Sequence, residues 1–234
     1  METVLLIAAE ARELAGIRRR CRGEKRLRWP VRFARSAELG GRRWILVANG
    51  AGPALAGEAC EVAWNKQKAD ALISTGFCGA LDPALMAGEV FVASRVESPD
   101  GLVVLEARLP ECRTSTATGR LISADRVVRT AEEKAGLRAL GGAAVEMEAA
   151  AVGLRASKWG VPFYCVRGVT DLAGEDLKLD FNAARAGDGH LSTAKILWAA
   201  ACRPRPLAAE LYRLRRRSRA AARALGEYLA DCKF

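Results

Sequence analysis

Short apolar runs alternate along this chain with segments whose apolar residues recur every three or four positions. The runs are typical of buried β-strands: VLLIAA, WILVAN, ALISTG, EVFVASRV, LVVLEA, AAVEM and PFYCVRGVT. The segments between them have the spacing of helices that cover a sheet, as in GPALAGEACEVAWNKQ and EAAAVGLRASKWG. This alternation indicates an α/β fold, in which a largely parallel sheet is covered by helices.

Length and composition favour one globular domain. The chain has 234 residues, half of them apolar, so it can bury a sizeable core. Its seven cysteines are scattered and form no CxxC pair, which argues against a disulfide framework and a zinc site and favours a reducing cytoplasm. The N-terminal METVLLIAAEARE lacks a basic leading segment, so we interpret it as a first core strand rather than a signal peptide.

The charge is unevenly distributed. The net charge is +10, and arginines crowd Arg18–Trp29 and Arg203–Arg223 while the middle of the chain is nearly balanced. Such segments are compatible with a nucleic-acid or membrane partner, although a solvated basic face is the simpler interpretation. The single histidine, His190, makes Ser-His-Asp and multi-histidine metal chemistry improbable, so any catalysis is expected to use carboxylates.

The pattern of apolar and charged residues changes after Arg203. The leucines that follow fall on one side of a helix whose other side is rich in arginine. We therefore divide the chain into a main domain over residues 1–202 and a basic amphipathic helix over residues 203–234. This helix either docks on the same domain or a partner subunit, or lies on an anionic membrane surface.

Ligands of parallel α/β sheets bind at the loops that follow the carboxyl ends of the strands. Here those loops are AAEARE, NGAGP, STGFCGALDP, VEME and GVTDLAGED, which carry glycines and carboxylates. The segment NGAGPALAG opens a helix but lacks the GxGxxG and GxxxxGK[ST] spacings, so a tight turn explains it equally well.

Four of these motifs together resemble the nucleoside phosphorylase superfamily, most closely its 5'-methylthioadenosine/S-adenosylhomocysteine nucleosidase branch. They are STGFCGALDPALMAGEVFVASRV, ISADRVV, VEMEAAAVG and VPFYCVRGVTDLAGED. The resemblance implies a three-layer α/β/α catalytic domain around a mixed, largely parallel sheet. It also implies hydrolysis of the N-glycosidic bond of a 5'-substituted adenosine, no metal or other cofactor, and a homodimer or larger homo-oligomer.

By the same resemblance, two carboxylates hold the central roles. Asp171 is the general acid that contacts the purine base and protonates it, a role that burial of the carboxyl group favours. Glu148 binds the ribose hydroxyls, and its negative charge suits the cation that develops on the sugar. Met147 packs beside the sugar. Without the other motifs, Glu148 and Asp171 are explained as helix and loop caps, and we assign Glu146 no sharper role.

The nucleophile is open at this point. Nucleosidases of the family place a glutamate after the first strand to activate water, which Glu13 matches. Family phosphorylases hold phosphate with a nearby arginine, which Arg12 matches. Their further arginine and serine are replaced here by Ser74 and Phe77, which mildly favours water.

The phosphate or water site is predicted to include the loop Gly76–Gly79. Within it, the backbone amides of Cys78 and Gly79 are positioned to face an oxyanion. The loop is glycine-rich on either side of Phe77 and Cys78.

The base pocket departs in part from the family. Val127, followed by Val128, stands where nucleosidases of this branch carry an aromatic residue. Phe181 matches the other base-stacking aromatic of the family.

Two alternatives remain. The segment GAGP and the basic C-terminal helix also resemble a hopanoid-associated branch of the superfamily, which would use inorganic phosphate as co-substrate on a lipid-linked nucleoside. In an alternative of another class, the chain is a nucleic-acid or membrane-binding module without activity, whose strand-end carboxylates are structural.

Overall fold

The computed structural model describes residues 1–179 and 204–234, with side chains of the last segment described from residue 209 onward. Ten strands lie in the first part. They are β1 (Thr3–Ala8), β2 (Arg22–Arg26), β3 (Phe33–Leu39), β4 (Arg42–Ala48), β5 (Ala71–Ala80), β6 (Val90–Glu97), β7 (Val104–Glu106), β8 (Ala117–Ser123), β9 (Ala144–Glu146) and β10 (Phe163–Asp171). The helices are α1 (Ala15–Arg18), α2 (Pro53–Lys66), α3 (Ala131–Ala139), α4 (Ala149–Trp159) and α5 (Pro204–Asp231).

All ten strands belong to one mixed sheet, which confirms the predicted mixed α/β fold. Strands β4, β1, β5 and β10 are neighbours and run parallel, so their carboxyl ends meet at one edge. Strands β10, β6, β8, β9 and β5 pair in turn and close a ring. Antiparallel pairs, such as β2 with β3 and β6 with β10, make the sheet more evenly mixed than the sequence predicted.

Local signals explain where the helices begin and end. Pro53 opens α2, as suits a first helical position that needs no N–H donor. A capping box between Thr130 and Glu133 starts α3, because each side chain accepts a hydrogen bond from the other residue's backbone N–H. Gly160 ends α4 with φ of 67°, a left-handed conformation that glycine adopts without strain.

Strand β1 shows why both faces of the sheet are covered. Leu5 and Ile7 pack in one core with α2 and α4, whereas the alternate residues Val4 and Leu6 pack in a second core with α1 and α5. Side chains of a strand point alternately to opposite faces, so a run that is apolar throughout must be buried on both. The sheet is thus the middle one of three layers. The carboxyl ends of its parallel strands lie at one edge of this middle layer.

The C-terminal helix α5 packs on the domain through its second half. Ala221, Leu225 and Leu229 are buried, and α5 contacts β10 and α1. Where α1 crosses α5, Gly16 and Gly226 bring the two backbones together. The apolar residues of this half are therefore covered by protein. In the described parts of the chain, no helix combines the length and apolar character that a membrane span requires.

The sequence pattern missed several features. Strand β2 lies within the first arginine-rich segment, and β3 and β8 were not predicted, since polar residues interrupt the apolar residues in both strands. His190 lies outside the described residues, as does the predicted division at residue 202. That division stays a prediction.

The prediction that the scattered cysteines form no disulfide framework was wrong in part. Cys112 and Cys232 form a disulfide across a sequence separation of 120 residues. The bond links the segment after β7 to the end of the chain, where Glu111 and Lys233 also pair. Spacing in the sequence could not reveal this pair, because the fold alone brings the two residues together.

Replacing Gly226 with alanine is expected to lower the free energy of unfolding by about 1–3 kcal/mol, the usual cost of overpacking. The added Cβ would lie 2.1 Å from the carbonyl carbon of Gly16, and backbone atoms cannot move aside cheaply. Gly136→Ala is the matched control, because nothing lies within 4 Å of its Cβ position on α3. Urea unfolding compares the two variants; a Gly226→Ala protein of unchanged stability would contradict the described helix crossing.

Candidate functional site

A cavity of about 190 Å³ lies at the carboxyl ends of the parallel strands. The loop after β1, the end of β5, the segment from β9 to α4 and the end of β10 form its walls. Ten residues predicted from the sequence line it: Arg12, Glu13, Phe77, Cys78, Gly79, Val127, Val128, Met147, Glu148 and Asp171. The structure thus brings most of the predicted site together, although the motifs lie far apart in the chain.

Arg167 lies beneath this cavity and is fully buried on β10. Its Nη2 donates to the carboxylate of Glu146 and, at 2.5 Å, to Oγ of Ser74. Its Nη1 donates to the carbonyl oxygen of Thr75 at 3.0 Å and lies 3.8 Å from Oε2 of Glu148. Such a guanidinium is stable in the protein interior only because carboxylates compensate its charge.

Glu146 has a structural role that the sequence did not reveal. Besides pairing with Arg167, its carboxylate accepts the backbone N–H of Glu148 at 2.8 Å and that of Ala149 at 2.9 Å. Both N–H groups lie at the start of α4, where the helix itself provides no acceptor for them and negative charge is favourable. Glu146 therefore fixes both the guanidinium and the beginning of the helix that carries Glu148.

Glu148 is buried, and its carboxylate is held from one side. Oε1 accepts the backbone N–H of Gly52 at 2.7 Å, which ties the NGAGP loop to the site. Burial raises the pKa of Glu148, the charge of Glu146 raises it further, and Arg167 opposes both effects. The second oxygen keeps hydrogen-bonding capacity toward the cavity.

Glu13 is oriented by the backbone of its own loop. Oε2 accepts the N–H groups of Ala9 and Glu10 at 2.9 and 3.0 Å, whereas Oε1 receives only a long contact of 3.4 Å from the N–H of Phe77. Burial is the main cause that raises the pKa of this carboxyl. Oε1 is thus the oxygen with room for a further donor.

Gly76 does not line the cavity, but the cluster depends on its missing side chain. A Cβ there would lie 2.9 Å from both Nη1 of Arg167 and Oε2 of Glu13, and the residue has a φ of 139°. Only glycine combines this backbone conformation with the close approach of both charged groups. Gly79 plays a similar part, because its Cβ would lie 2.7 Å from Oδ2 of Asp171.

The predicted loop Gly76–Gly79 is in fact the last part of strand β5. Cys78 lies opposite Val169 and Gly79 opposite Asp171 in the parallel ladder with β10. These residues are ladder positions of the sheet, not an open loop. They form a wall of the cavity rather than the free anion-binding turn that we expected.

Arg12 lines the cavity but is largely exposed and paired with Glu10. Its Nε lies 2.9 Å from Oε2 of Glu10, and its side chain is 61% exposed. Three carboxylates, Glu13, Glu146 and Glu148, surround Arg167, so the buried cluster is formally negative when all are ionised. Burial raises the pKa of Glu13 and that of Glu148, so a cation next to these groups favours their ionised forms, and an anion disfavours them.

Asp171 lies at the end of β10 with little exposed area. Its Oδ2 is 2.6 Å from Nζ of Lys134, which α3 projects into the domain and which is completely buried. The hydroxyl of Thr170 is 3.1 Å from its Oδ1. The predicted acid is thus one half of a buried ion pair with Lys134. The sequence analysis predicted its burial but not this partner.

The wall beside Asp171 is apolar. Val128 and Met147 are buried, and Val127 also lines this side. Phe181, the predicted stacking residue, lies outside the described residues.

Beyond Phe77, Thr170 and Asp171 the cavity opens into a groove of about 1620 Å³ between α1 and α5. Leucines and arginines line it, including Leu211, Leu214, Arg215 and Arg219. It offers space for a ligand much larger than the cavity itself.

Two residues of the site, Arg167 and Lys134, were not predicted from the sequence, for different reasons. Arg167 is a single charged residue inside the apolar run PFYCVRGVT, and this was an available signal, since an arginine in a buried strand requires partners. Lys134 stands among other charged residues in TAEEKAGLR, where nothing distinguishes it. Among residues 1–179 and 204–234, no group of three or more His, Cys, Asp or Glu side chains is arranged to hold a metal ion.

Comparison with known proteins gives consistent results. Residues 104–201 match the model of the family described as "Phosphorylase superfamily". The 5'-methylthioadenosine/S-adenosylhomocysteine nucleosidase of Staphylococcus aureus is 27% identical over 169 residues, which cover 61% of this chain and 74% of that protein.

Solved structures share the fold over almost the whole chain. The corresponding nucleosidase of Neisseria meningitidis, in complex with methylthio-immucillin-A, has a TM-score of 0.72 at 22% identity and covers 99% of this chain and 98% of its own. A futalosine hydrolase mutant of Helicobacter pylori has a TM-score of 0.73 at 15% identity, with the same coverage.

Glu146→Gln is expected to lower the midpoint at which Glu148 titrates. The neighbouring charge is one of the causes that raise this pKa, and glutamine removes the charge while keeping an acceptor for the helix N–H groups. Carbon NMR of glutamate carboxyls, with the Glu148 signal assigned by its loss in Glu148→Gln, measures the midpoint. The exposed Glu132→Gln is the control, and an unchanged or higher midpoint in Glu146→Gln would contradict the electrostatic description.

Proposed function

We propose that this chain, which matches the phosphorylase superfamily over residues 104–201 and gathers its carboxylates around one cavity, hydrolyses the N-glycosidic bond of a 5'-substituted adenosine. The products are adenine and the corresponding ribose derivative. The observation that carries the proposal is the buried cluster of three carboxylates around a single arginine. Such a cluster suits a reaction in which the sugar becomes positively charged.

The roles follow from the chemistry of the bond. Its cleavage produces an oxocarbenium-like sugar and leaves negative charge on the purine. Glu148 binds the ribose hydroxyls through its second oxygen and stabilises the cation. Asp171 lies at the base and mediates its protonation. The apolar wall formed by Val127, Val128 and Met147 contacts the purine and the sugar.

Glu13 is the residue that orients and deprotonates water. Its Oε1 has only the long contact with Phe77, so it can accept a hydrogen bond from a water molecule. Burial raises the pKa of Glu13, which makes the ionised carboxylate a stronger base. The two backbone donors on Oε2 keep the group in place.

Water suits this site better than phosphate. A phosphate dianion beside Glu13 and Glu148 would be repelled, and Arg167 is already engaged by Glu146 and Ser74. Arg12 is paired with Glu10 and is largely exposed, so it offers no preformed anion site. These contacts support hydrolysis over the phosphate-dependent alternative and require no metal or other cofactor.

The groove next to the cavity supports a substituted substrate. It shares Phe77, Thr170 and Asp171 with the cavity wall and continues along α5. A nucleoside without a substituent would leave it empty. We include in the proposal, from the family resemblance, a homodimer or larger homo-oligomer and a cytoplasmic location.

Glu13→Gln is expected to lower kcat for adenine release by about 10²-fold or more, the usual contribution of a general base. Arg12→Met is expected to change kcat little, because its charge is directed at Glu10. Both variants are measured by chromatography of the free base, which is adenine from 5'-methylthioadenosine, S-adenosylhomocysteine and adenosine, and hypoxanthine from inosine.

The same assay can contradict the proposal. Loss of activity in Arg12→Met with retention in Glu13→Gln would indicate a phosphate site instead. No base release from any of these nucleosides by the wild-type protein would remove the proposed function altogether.

A further inference from the structure

Lys134 is an unusual residue to find without any exposed area. Its ammonium group donates to Oδ2 of Asp171 at 2.6 Å, to the carbonyl oxygen of Leu172 at 2.8 Å and to that of Glu175 at 3.1 Å. These three acceptors satisfy all three N–H donors of a charged lysine. The geometry is that of a protonated ammonium held in place, rather than of a flexible surface chain.

Asp171 lies between this ammonium and the cavity. Asp171 lines the cavity, whereas Lys134 does not reach it. The side chain of Asp171 is 11% exposed and that of Lys134 is 0% exposed. Any effect of the lysine on a ligand must therefore pass through the aspartate.

An ammonium at hydrogen-bond distance favours the ionised form of a carboxyl group. An ionised carboxylate accepts hydrogen bonds but has no proton to give. Within the proposed function, however, Asp171 must mediate proton delivery to the leaving purine. A neighbouring donor can supply this proton, and among the described residues the nearest donor to the Asp171 carboxylate is Nζ of Lys134, at 2.6 Å.

We propose that Lys134 is a positioning residue that stores the proton which Asp171 passes to the leaving base. This inference rests on the proposed function. As the glycosidic bond breaks, its electron pair goes to the purine, a proton moves from Nζ to the carboxylate, and the carboxyl group transfers a proton to a purine nitrogen. Lys134 is left as a neutral amine and Asp171 as a carboxylate.

The remaining proton comes from the attacking water. Water adds to the sugar cation and loses one proton to Glu13. Exchange with solvent then returns a proton to Lys134 and removes one from Glu13. The sum is nucleoside plus water giving base plus sugar, so no oxidant, reductant or further reactant is needed.

Several other groups face this pair and bear on its pH dependence. They are Cys78 on β5, Glu175 after β10, Arg217 on α5, and Glu133 on α3 itself. Burial raises the pKa of the Cys78 thiol, so it remains uncharged at neutral pH. Arg217, at 2.6 Å, lowers the pKa of Glu175, and the pKa of Glu133 is lowered to about 2 by backbone N–H groups.

None of these neighbours changes its charge between neutral and mildly alkaline pH. Glu148, in the same cavity, has a pKa raised to about 8 by burial, and Lys134 is not among the groups that shift it. A pH dependence of kcat that appears only when Lys134 is replaced therefore reports on the Lys134–Asp171 pair.

Lys134→Met tests the inference through the pH profile of kcat for purine release. Methionine fills similar space without a proton, so Asp171 must then take its proton directly from solvent. We expect kcat at pH 8 to fall by about 10²-fold or more, the usual contribution of general acid catalysis, and the loss to shrink as the pH is lowered. KM should change little, because Lys134 does not line the cavity.

A second substrate separates the chemical role from a structural one. A 4-nitrophenyl riboside with the same 5' substituent has a leaving group that departs without protonation. Lys134→Met should cleave it at close to the wild-type rate. The exposed Lys158→Met, whose lysine lies 4.0 Å from Glu61 at the surface, is the matched control and should behave as the wild type with both substrates.

In an Asp171→Asn protein, replacing Lys134 leaves no buried carboxylate without its partner. If the lysine acts through the aspartate, adding Lys134→Met to this variant should change kcat no further. The inference is overturned if Lys134→Met loses the same factor at every pH and with both substrates, or loses nothing. Absence of purine release by the wild type would instead overturn the proposed function.

Discussion

The buried guanidinium of Arg167 is the contact on which the site depends. It connects β10 to Ser74 and Thr75 on β5, and its charge is compensated by the carboxylates gathered around it. Carboxylates outnumber the guanidinium, so the cavity gains negative potential when Glu13 and Glu148 ionise in addition to Glu146. In that state a developing sugar cation is favoured and an anionic nucleophile is disfavoured, so one electrostatic arrangement accounts for both the proposed reaction and the proposed use of water.

The fold makes this arrangement possible at close range. Parallel strands β5 and β10 place Arg167 opposite Gly76, where a missing side chain leaves room for the guanidinium and Glu13. Glu146 then starts α4 and thereby positions Glu148. A second ion pair, between Lys134 and Asp171, reaches the same cavity through Asp171. In the proposed mechanism, the Arg167 cluster acts on the sugar and the Lys134–Asp171 pair acts on the base.

Much of this could be predicted from the sequence, and the remainder has a physical explanation. Strand-end motifs predicted the mixed α/β fold, which is confirmed, and a resemblance to the nucleoside phosphorylase superfamily, which the match of residues 104–201 supports. They could do so because each motif is local and the strand ends converge. The partners of Glu148 and Asp171 could not be predicted, since Gly52 and Lys134 meet them only through the fold. The disulfide between Cys112 and Cys232 could not be predicted for the same reason. Glu146 had no assigned role in the sequence analysis, and its contacts are the start of α4 and Arg167.

The central claim is that this negative cluster selects water as the nucleophile. The most direct measurement is mass spectrometry of the sugar product formed from a cleaved 5'-substituted adenosine in ¹⁸O-labelled water with excess inorganic phosphate. The account predicts a free sugar with one labelled oxygen at C1 and a rate that does not depend on phosphate. A sugar 1-phosphate as the product, formed only when phosphate is present, would contradict it.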